Sequence, residues 1–254
     1  IDDASAAHAV IGMCIDYKNY PMFFDCGNDA GLAVAGLNFP GYAEYAEGPV
    51  DGKTNIAAYE FPLWVAATFS TVDEVEAALR DTVIVAKSAG EGLGVSLLHW
   101  IIGDSQRSIV VEMMADGLHV YQPTFPWHME NLRTYITATS DFPQTATWRG
   151  AELKPYGAGA GMRGIPGDCY SPSRFVKAAY LNANYPQKES ETENVVRMFR
   201  SLEGVVMIEG ASRMGDGKFE KTIYTGCFSA RTGNYYYAMY GDPSIRYVSL
   251  MDAE

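Results

Sequence analysis

The chain is poor in the residues that build metal centres and covalent frameworks. It holds four cysteines, Cys14, Cys26, Cys169 and Cys227, with no CxxC pair among them. Four histidines accompany them, His8, His99, His119 and His128, and no His/Cys set has zinc-ligand spacing. A metal site is therefore not expected. So few cysteines in 254 residues read as reduced thiols of an intracellular protein. Cations are scarce too: 19 Lys and Arg face 31 Asp and Glu, a formal charge of −12. With no basic tract, nucleic acid and anionic membranes are excluded as partners. An anionic ligand would have to be held by apolar contact and a few local cations.

Other absences narrow the field further. The longest apolar run, around Val95 to Ile102, is broken by His99 and too short to span a bilayer. The first residues, Ile-Asp-Asp-Ala-Ser-Ala-Ala-His, show no basic region followed by an apolar one. No signal peptide is read there, and a cytoplasmic protein is expected. No GxSxG marks a serine nucleophile and no HExxH a metalloprotease. Gly159 to Gly164 matches GxGxxG, but Lys154-Pro155-Tyr156 precedes it and Ile165-Pro166-Gly167 follows. A pyrophosphate site needs a strand before and a helix after, so no dinucleotide cofactor is expected. Internal repeats and low-complexity segments are missing as well.

What remains is an ordinary globular composition, 48% apolar and 20% charged, long enough for one large core. Strands are expected from His8 to Cys14 and Met22 to Asp25, with a turn at Asp16 to Asn19. Gly31 to Leu37 reads as a small-residue strand, Ala43 to Asn55 as a polar loop. Helices are expected over Phe61 to Phe69 and Val72 to Arg80, the second opened by the capping box Thr71-Val72-Asp73-Glu74. Thr82 to Ala86 is β-rich, and Ser96 to Ile102, Ser108 to Met114 and Leu118 to Tyr121 read as antiparallel strands. His99 and Met113-Met114 are read as core residues of these strands.

A helix from Trp127 to Ile136 and an irregular glycine-rich stretch from Thr145 to Gly167 come next. Two more helices start at Ser171 and Glu191, the latter behind Ser190-Glu191-Thr192-Glu193. Lys221 to Ser229, Asn234 to Tyr240 and Ile245 to Leu250 close the chain as strands. Strands in runs and helices in pairs predict an α+β fold with antiparallel sheets under helical layers. No stretch resembles a linker, so residues 1–254 are read as a single domain.

Two residues stand out. Arg174 falls in the first turn of the helix beginning at Ser171-Pro172, where Ser171 can serve as the cap. A cation there opposes the helix dipole, which suggests an anion to meet it. The plain alternative is an ion pair with a loop carboxylate such as Asp168. Asn38 ends the Gly31 strand beside Phe39-Pro40-Gly41, a place suited equally to a functional amide and to a turn-forming Asn.

Several stretches, in order along nearly the whole chain, resemble the choloylglycine hydrolase family, and within it bile salt hydrolases. They include Met22-Phe23-Phe24-Asp25-Cys26, Gly31 to Gly41, Phe61-Pro62-Leu63-Trp64-Val65 and Arg107 to Glu112. Met129-Glu130-Asn131-Leu132, Gly164 to Asp168, Ser171-Pro172-Ser173-Arg174-Phe175 and Met214-Gly215-Asp216-Gly217 complete the set.

The resemblance implies a four-layer αββα N-terminal-nucleophile hydrolase with two stacked antiparallel sheets. It implies cleavage of the amide joining a bile acid to glycine or taurine, with a penicillin V acylase or a non-catalytic bile-salt-binding module as alternatives. It implies no cofactor and a homotetramer. In this family a cysteine at the mature N-terminus attacks the amide while its own α-amino group handles protons. Arg174 matches the family's active-site arginine. Asn38 matches the position held by Asn in bile salt hydrolases and usually Tyr in penicillin V acylases, and reads as an oxyanion donor. Tyr17 and Leu98, on or beside the segments matching the loops that flank the family's cavity, are expected to touch the steroid. The family's first segment, with its nucleophile, has no counterpart here. A longer loop carrying an active-site Asn is also expected where Tyr121-Gln122 stands. None of the four cysteines falls in the nucleophile's motif, and the residues in hand are expected to be part of a longer enzyme.

Overall fold

The first hairpin shows how local residues set the register. In a computed structural model, which describes residues 6–252, strand β1 (Val10–Tyr17) turns directly into β2 (Tyr20–Asn28). Lys18 and Asn19 between them hold φ of 54° and 65°. That is the backbone of a type I′ turn, whose twist suits paired strands. The turn is tighter than the polar run predicts. Asp16 and Tyr17 are strand residues paired with Pro21 and Tyr20.

β3 (Ala33–Asn38) is followed by β4 (Thr54–Ala57), helices α1 (Phe61–Thr68) and α2 (Val72–Leu79), and β5 (Thr82–Val85). Then come β6 (Leu98–Gly103), β7 (Ser108–Met114) and β8 (Gly117–Tyr121). Six strands pair antiparallel in the order β1-β2-β3-β6-β7-β8. β4 and β5 depart from the expected antiparallel pattern and pair in parallel, Thr54 opposite Thr82. A parallel pair needs a long crossover, and the two helices supply it.

α1 is apolar nearly all round, as a helix buried on most sides must be. Phe61, Trp64 and Val65 join Trp100, Ile102, Ile109 and Val111 of the sheet in one core. Phe61 and Trp100 lie with ring centroids 4.4 Å apart. α2 starts as its capping box predicts: the Glu74 N–H donates to Thr71 Oγ1 at 3.2 Å. The Glu74 carboxylate reaches back to the Ser70 N–H at 2.7 Å. Thr71→Ala is expected to cost about 1 kcal/mol, measurable as a lowered denaturation midpoint with an unchanged slope.

Asn28, fully buried, ties the end of α1 to the β2–β3 turn. Its amide donates to Ala66 O (2.8 Å) and Phe69 O (2.7 Å) and accepts from Leu32 N (2.9 Å) and Ala30 N (3.1 Å). Every donor and acceptor of that amide is used.

The chain then passes through α3 (Pro126–Arg133), a short hairpin β9 (Ala146–Trp148) and β10 (Ala151–Leu153), α4 (Ser171–Asn184) and α5 (Glu191–Glu203). The hairpin interrupts the stretch expected to be irregular. Its turn uses Arg149 and Gly150, both at positive φ. The GxGxxG stretch forms one 3-10 turn, Ala160–Met162, with no strand or long helix attached. Val176, Val195, Phe199 and Met207 are buried in this part of the chain. The pair β11 (Ser212–Arg213) and β12 (Phe219–Glu220) follows.

β13 (Tyr224–Ser229), β14 (Asn234–Met239) and β15 (Asp242–Ser249) form a second sheet in that order. It packs on the six-stranded sheet, on the face opposite α1, where glycines let the backbones come close. A Cβ on Gly27 would lie 2.4 Å from the Phe228 ring. Beside it the Tyr235 hydroxyl donates to Asp25 Oδ1 at 2.5 Å. Two stacked sheets with a helical layer are therefore present, as the sequence predicts. The chain divides into two compact units. One is Ile1–Thr124 with Gly226–Ala238 and Pro243–Glu254, the other Phe125–Thr225 with Met239–Asp242.

Candidate active site

Asn38 is the last residue of β3 and pairs across to Leu98 at the start of β6. The structure thus sets these two predicted residues side by side. The Asn38 side chain is exposed, and among the described residues its amide has no hydrogen-bond partner. It does not behave as a turn-forming Asn, which would cap the backbone that follows it. Leu98 packs its side chain against the main core. Its backbone is fixed by Tyr45, whose hydroxyl accepts the Leu98 N–H at 2.7 Å and lies 3.1 Å from Leu98 O. Nothing near either residue in the sequence announces this role for Tyr45.

Tyr17 stands at the tip of the first hairpin, on the bare backbone of Gly90. A Cβ on Gly90 would lie 2.1 Å from the Tyr17 hydroxyl. The two segments expected to flank the substrate cavity, the hairpin tip and Lys87 to Val95, are therefore in contact through these residues. The loop holds its own shape: the Gly90 N–H donates to Ser88 Oγ at 3.2 Å, and that hydroxyl lies 2.5 Å from Leu93 O.

Arg174 belongs to the second unit, in the first turn of α4. Ser171 is not the cap of that helix. Tyr170 occupies the capping position without a side-chain bond, and Ser171 is already helical. Asp168 holds the helix start instead, accepting the Tyr170 N–H at 2.9 Å and the Ser173 hydroxyl at 2.9 Å. These bonds, the backbone one foremost, hold the Asp168 carboxyl below the usual range. Asp168 therefore makes no ion pair with Arg174, contrary to the plain alternative. The Arg174 Nε is enclosed and has no partner among the described residues. Three other arginines are engaged by side chain or carbonyl: Arg107 with Asp73 and Glu76, Arg200 with Glu203, Arg197 with Tyr185 O and Asn182. Only this nitrogen of Arg174 is enclosed, the residue as a whole being half-buried, and a donor left unpaired there is open to an acceptor that would complete it.

Cys14 and Cys26 are not activated thiols. Cys26 is buried with Sγ 3.6 Å from Pro62 O, and burial, then Asp25 and Cys14, push its thiol well up. Burial and then Asp16 also raise Cys14. A thiol so raised is protonated at neutral pH and unreactive. Among the described residues no His/Cys/Asp/Glu group could hold a metal. His99 is a satisfied residue of β6, its Nδ1 3.0 Å from Glu112 Oε1.

The two stacked antiparallel sheets with their helical layer define the class by fold, that of the N-terminal-nucleophile hydrolases. Residues 2–254 match the linear amide C–N hydrolases of the choloylglycine hydrolase family, and the chain belongs to that family. It is 51% identical over 254 residues to the bile salt hydrolase/transferase of Bifidobacterium longum subsp. longum, covering 96% of this chain and 80% of that protein. The conjugated bile acid hydrolase of Lactobacillus acidophilus is 42% identical over 246 residues, covering 93% and 78%. A solved mutant of the conjugated bile acid hydrolase from Clostridium perfringens superimposes with TM-score 0.90 at 35% identity, covering 98% of this chain and 79% of that one. Penicillin V acylase from Agrobacterium tumefaciens shares the fold, with TM-score 0.68 at 18% identity over 91% of this chain and 67% of that one.

Proposed function

We propose that this protein hydrolyses the amide that joins a bile acid to glycine or taurine. The observation that carries the reading is the 51% identity, over nearly the whole chain, to a bile salt hydrolase/transferase. The nucleophile is a cysteine thiolate outside these 254 residues, in keeping with the raised thiols of Cys14 and Cys26. The thiolate attacks the amide carbonyl, and its α-amino group takes and returns the proton. Asn38 donates to the oxyanion that forms, and Arg174 supplies positive charge to the nucleophile and its anionic intermediate. Tyr17 and Leu98 offer apolar contact to the steroid, which suits an anion with a large hydrophobic body. No cofactor takes part in this chemistry.

Both units act as one hydrolase domain, residues 1–254, in a cytoplasmic homotetramer. The four free cysteines fit a reducing compartment. Among the described residues no helix is long and apolar enough to cross a membrane. The segment from α3 to α4 exposes Ile136, Phe142, Trp148 and Tyr156, apolar surface that a second copy of the chain would cover.

Incubating the full-length protein with glycine- and taurine-conjugated bile acids should release free glycine and taurine. A thiol alkylator should abolish the release. Binding of the conjugates without release would instead identify a non-catalytic binding module. Faster turnover of penicillin V than of the conjugates would identify a penicillin V acylase.

A further inference from the structure

The Asn38 amide has no side-chain partner among the described residues, so only its backbone can aim it. What fixes that backbone lies on the neighbouring strands. Phe39, the next residue, donates its N–H to Leu97 O at 2.8 Å. Its ring lies flat on the His99 imidazole, centroids 4.4 Å apart and planes 1° from parallel. On its other contact Phe39 stacks with Tyr42 at 5.2 Å. His99 is held in turn: its Nδ1–H donates to Glu112 Oε1 at 3.0 Å.

Glu112 is 8% exposed, and a carboxylate so buried needs a partner. Its cross-strand neighbour on β8, His119, is bonded to Asp116 instead at 2.8 Å. His99 is therefore the partner that satisfies Glu112, and Glu112 fixes the imidazole's tautomer and tilt. The chain of contacts runs from a buried carboxylate on β7, through a ring on β6, to the residue beside Asn38.

We propose that His99 and Glu112 are positioning residues for the reaction, holding Phe39 and so aiming the Asn38 amide at the developing oxyanion. The proposal rests on the reading of Asn38 as an oxyanion donor. Displacing such a donor by about 1 Å can cost on the order of 100-fold in rate. The effect should fall on kcat, because the donor acts in the transition state rather than on bound substrate.

The test is a double-mutant cycle in the full-length enzyme, with hydrolysis of a glycine-conjugated bile acid as readout. His99→Ala should lower kcat roughly 10- to 100-fold with KM within about twofold. The same change in an Asn38→Ala background should lower it no more than about twofold, because there is no amide left to aim. The pair His99→Phe with Glu112→Met keeps the stack and replaces the buried polar pair with apolar groups of similar volume. It should stay within about threefold of the wild type. Should His99→Ala fail to fold, His99→Gln enters the same cycle, since it keeps a hydrogen bond but loses the stack.

Equal losses in both backgrounds, or a rise in KM with kcat intact, would overturn the positioning role while leaving Asn38 as the donor. An Asn38→Ala enzyme with undiminished kcat would overturn the donor reading, and the positioning role with it.

Discussion

Replacing Arg174 by alanine is expected to lower kcat by about 10²- to 10³-fold, the size of loss seen when one oxyanion-type donor is removed. The expectation rests on what Arg174 lacks. Its Nε is enclosed yet unpartnered among the described residues, and the nearby Asp168 is bonded to Tyr170 and Ser173. Folding gains little from such a nitrogen, so its removal should tell on activity more than on stability.

Stability and activity should therefore part company. Arg174→Met, which keeps the aliphatic stem, is expected to melt at or slightly above the wild-type temperature while losing activity as fully as the alanine variant. Arg174→Lys should not restore the rate, because a point charge cannot present an Nε–H in the guanidinium plane. Steady-state kinetics and a thermal melt on each variant check this. Wild-type kcat in Arg174→Met would remove the residue from the site.

Asn38→Ala is expected to reduce kcat by a similar factor, about 10²- to 10³-fold, with a small change in KM. The residue sits at the end of β3 opposite Leu98, exposed and with its amide unengaged among the described residues. Truncation there removes no packing, so the melting temperature should stay put. Asn38→Asp should be at least as damaging, since it places a carboxylate where negative charge develops. Asn38→Tyr should shift the ratio of turnover away from conjugated bile acids and toward penicillin V. An unchanged ratio would separate the donor role of this position from any role in selecting the substrate.

The candidate residues were picked out along the chain. Arg174 drew notice by sitting at the wrong end of a helix dipole, and Asn38 by ending a strand next to Phe39-Pro40-Gly41. Local sequence left a plain role open for each, and only the family likeness gave them roles in the reaction. Tyr17 and Leu98 came only through the family likeness, and geometry adds what the likeness lacks: Tyr17 lies on Gly90, and Tyr45 pins Leu98. The Ser171 cap was misplaced because Asp168, three residues earlier, competes for the same helix end. Ser and Asp are both good caps, and local sequence does not rank them when a Pro fixes the first turn.

Most of the longer helices and strands were settled by the residues alone. Apolar alternation, the capping boxes at Thr71 and Ser190, and the turn between Asp16 and Asn19 each act within a few positions, so they are written in the local string. Tertiary structure decided the rest. It set the parallel pairing of β4 with β5, the fourfold bonding of Asn28, the contact of Gly27 with Phe228 and the Glu112–His99–Phe39 chain. In each of these the partners lie outside the reach of turn and helix patterns. Their meeting depends on how strands are ordered in a sheet and which backbones come close, and no propensity of a single residue encodes that.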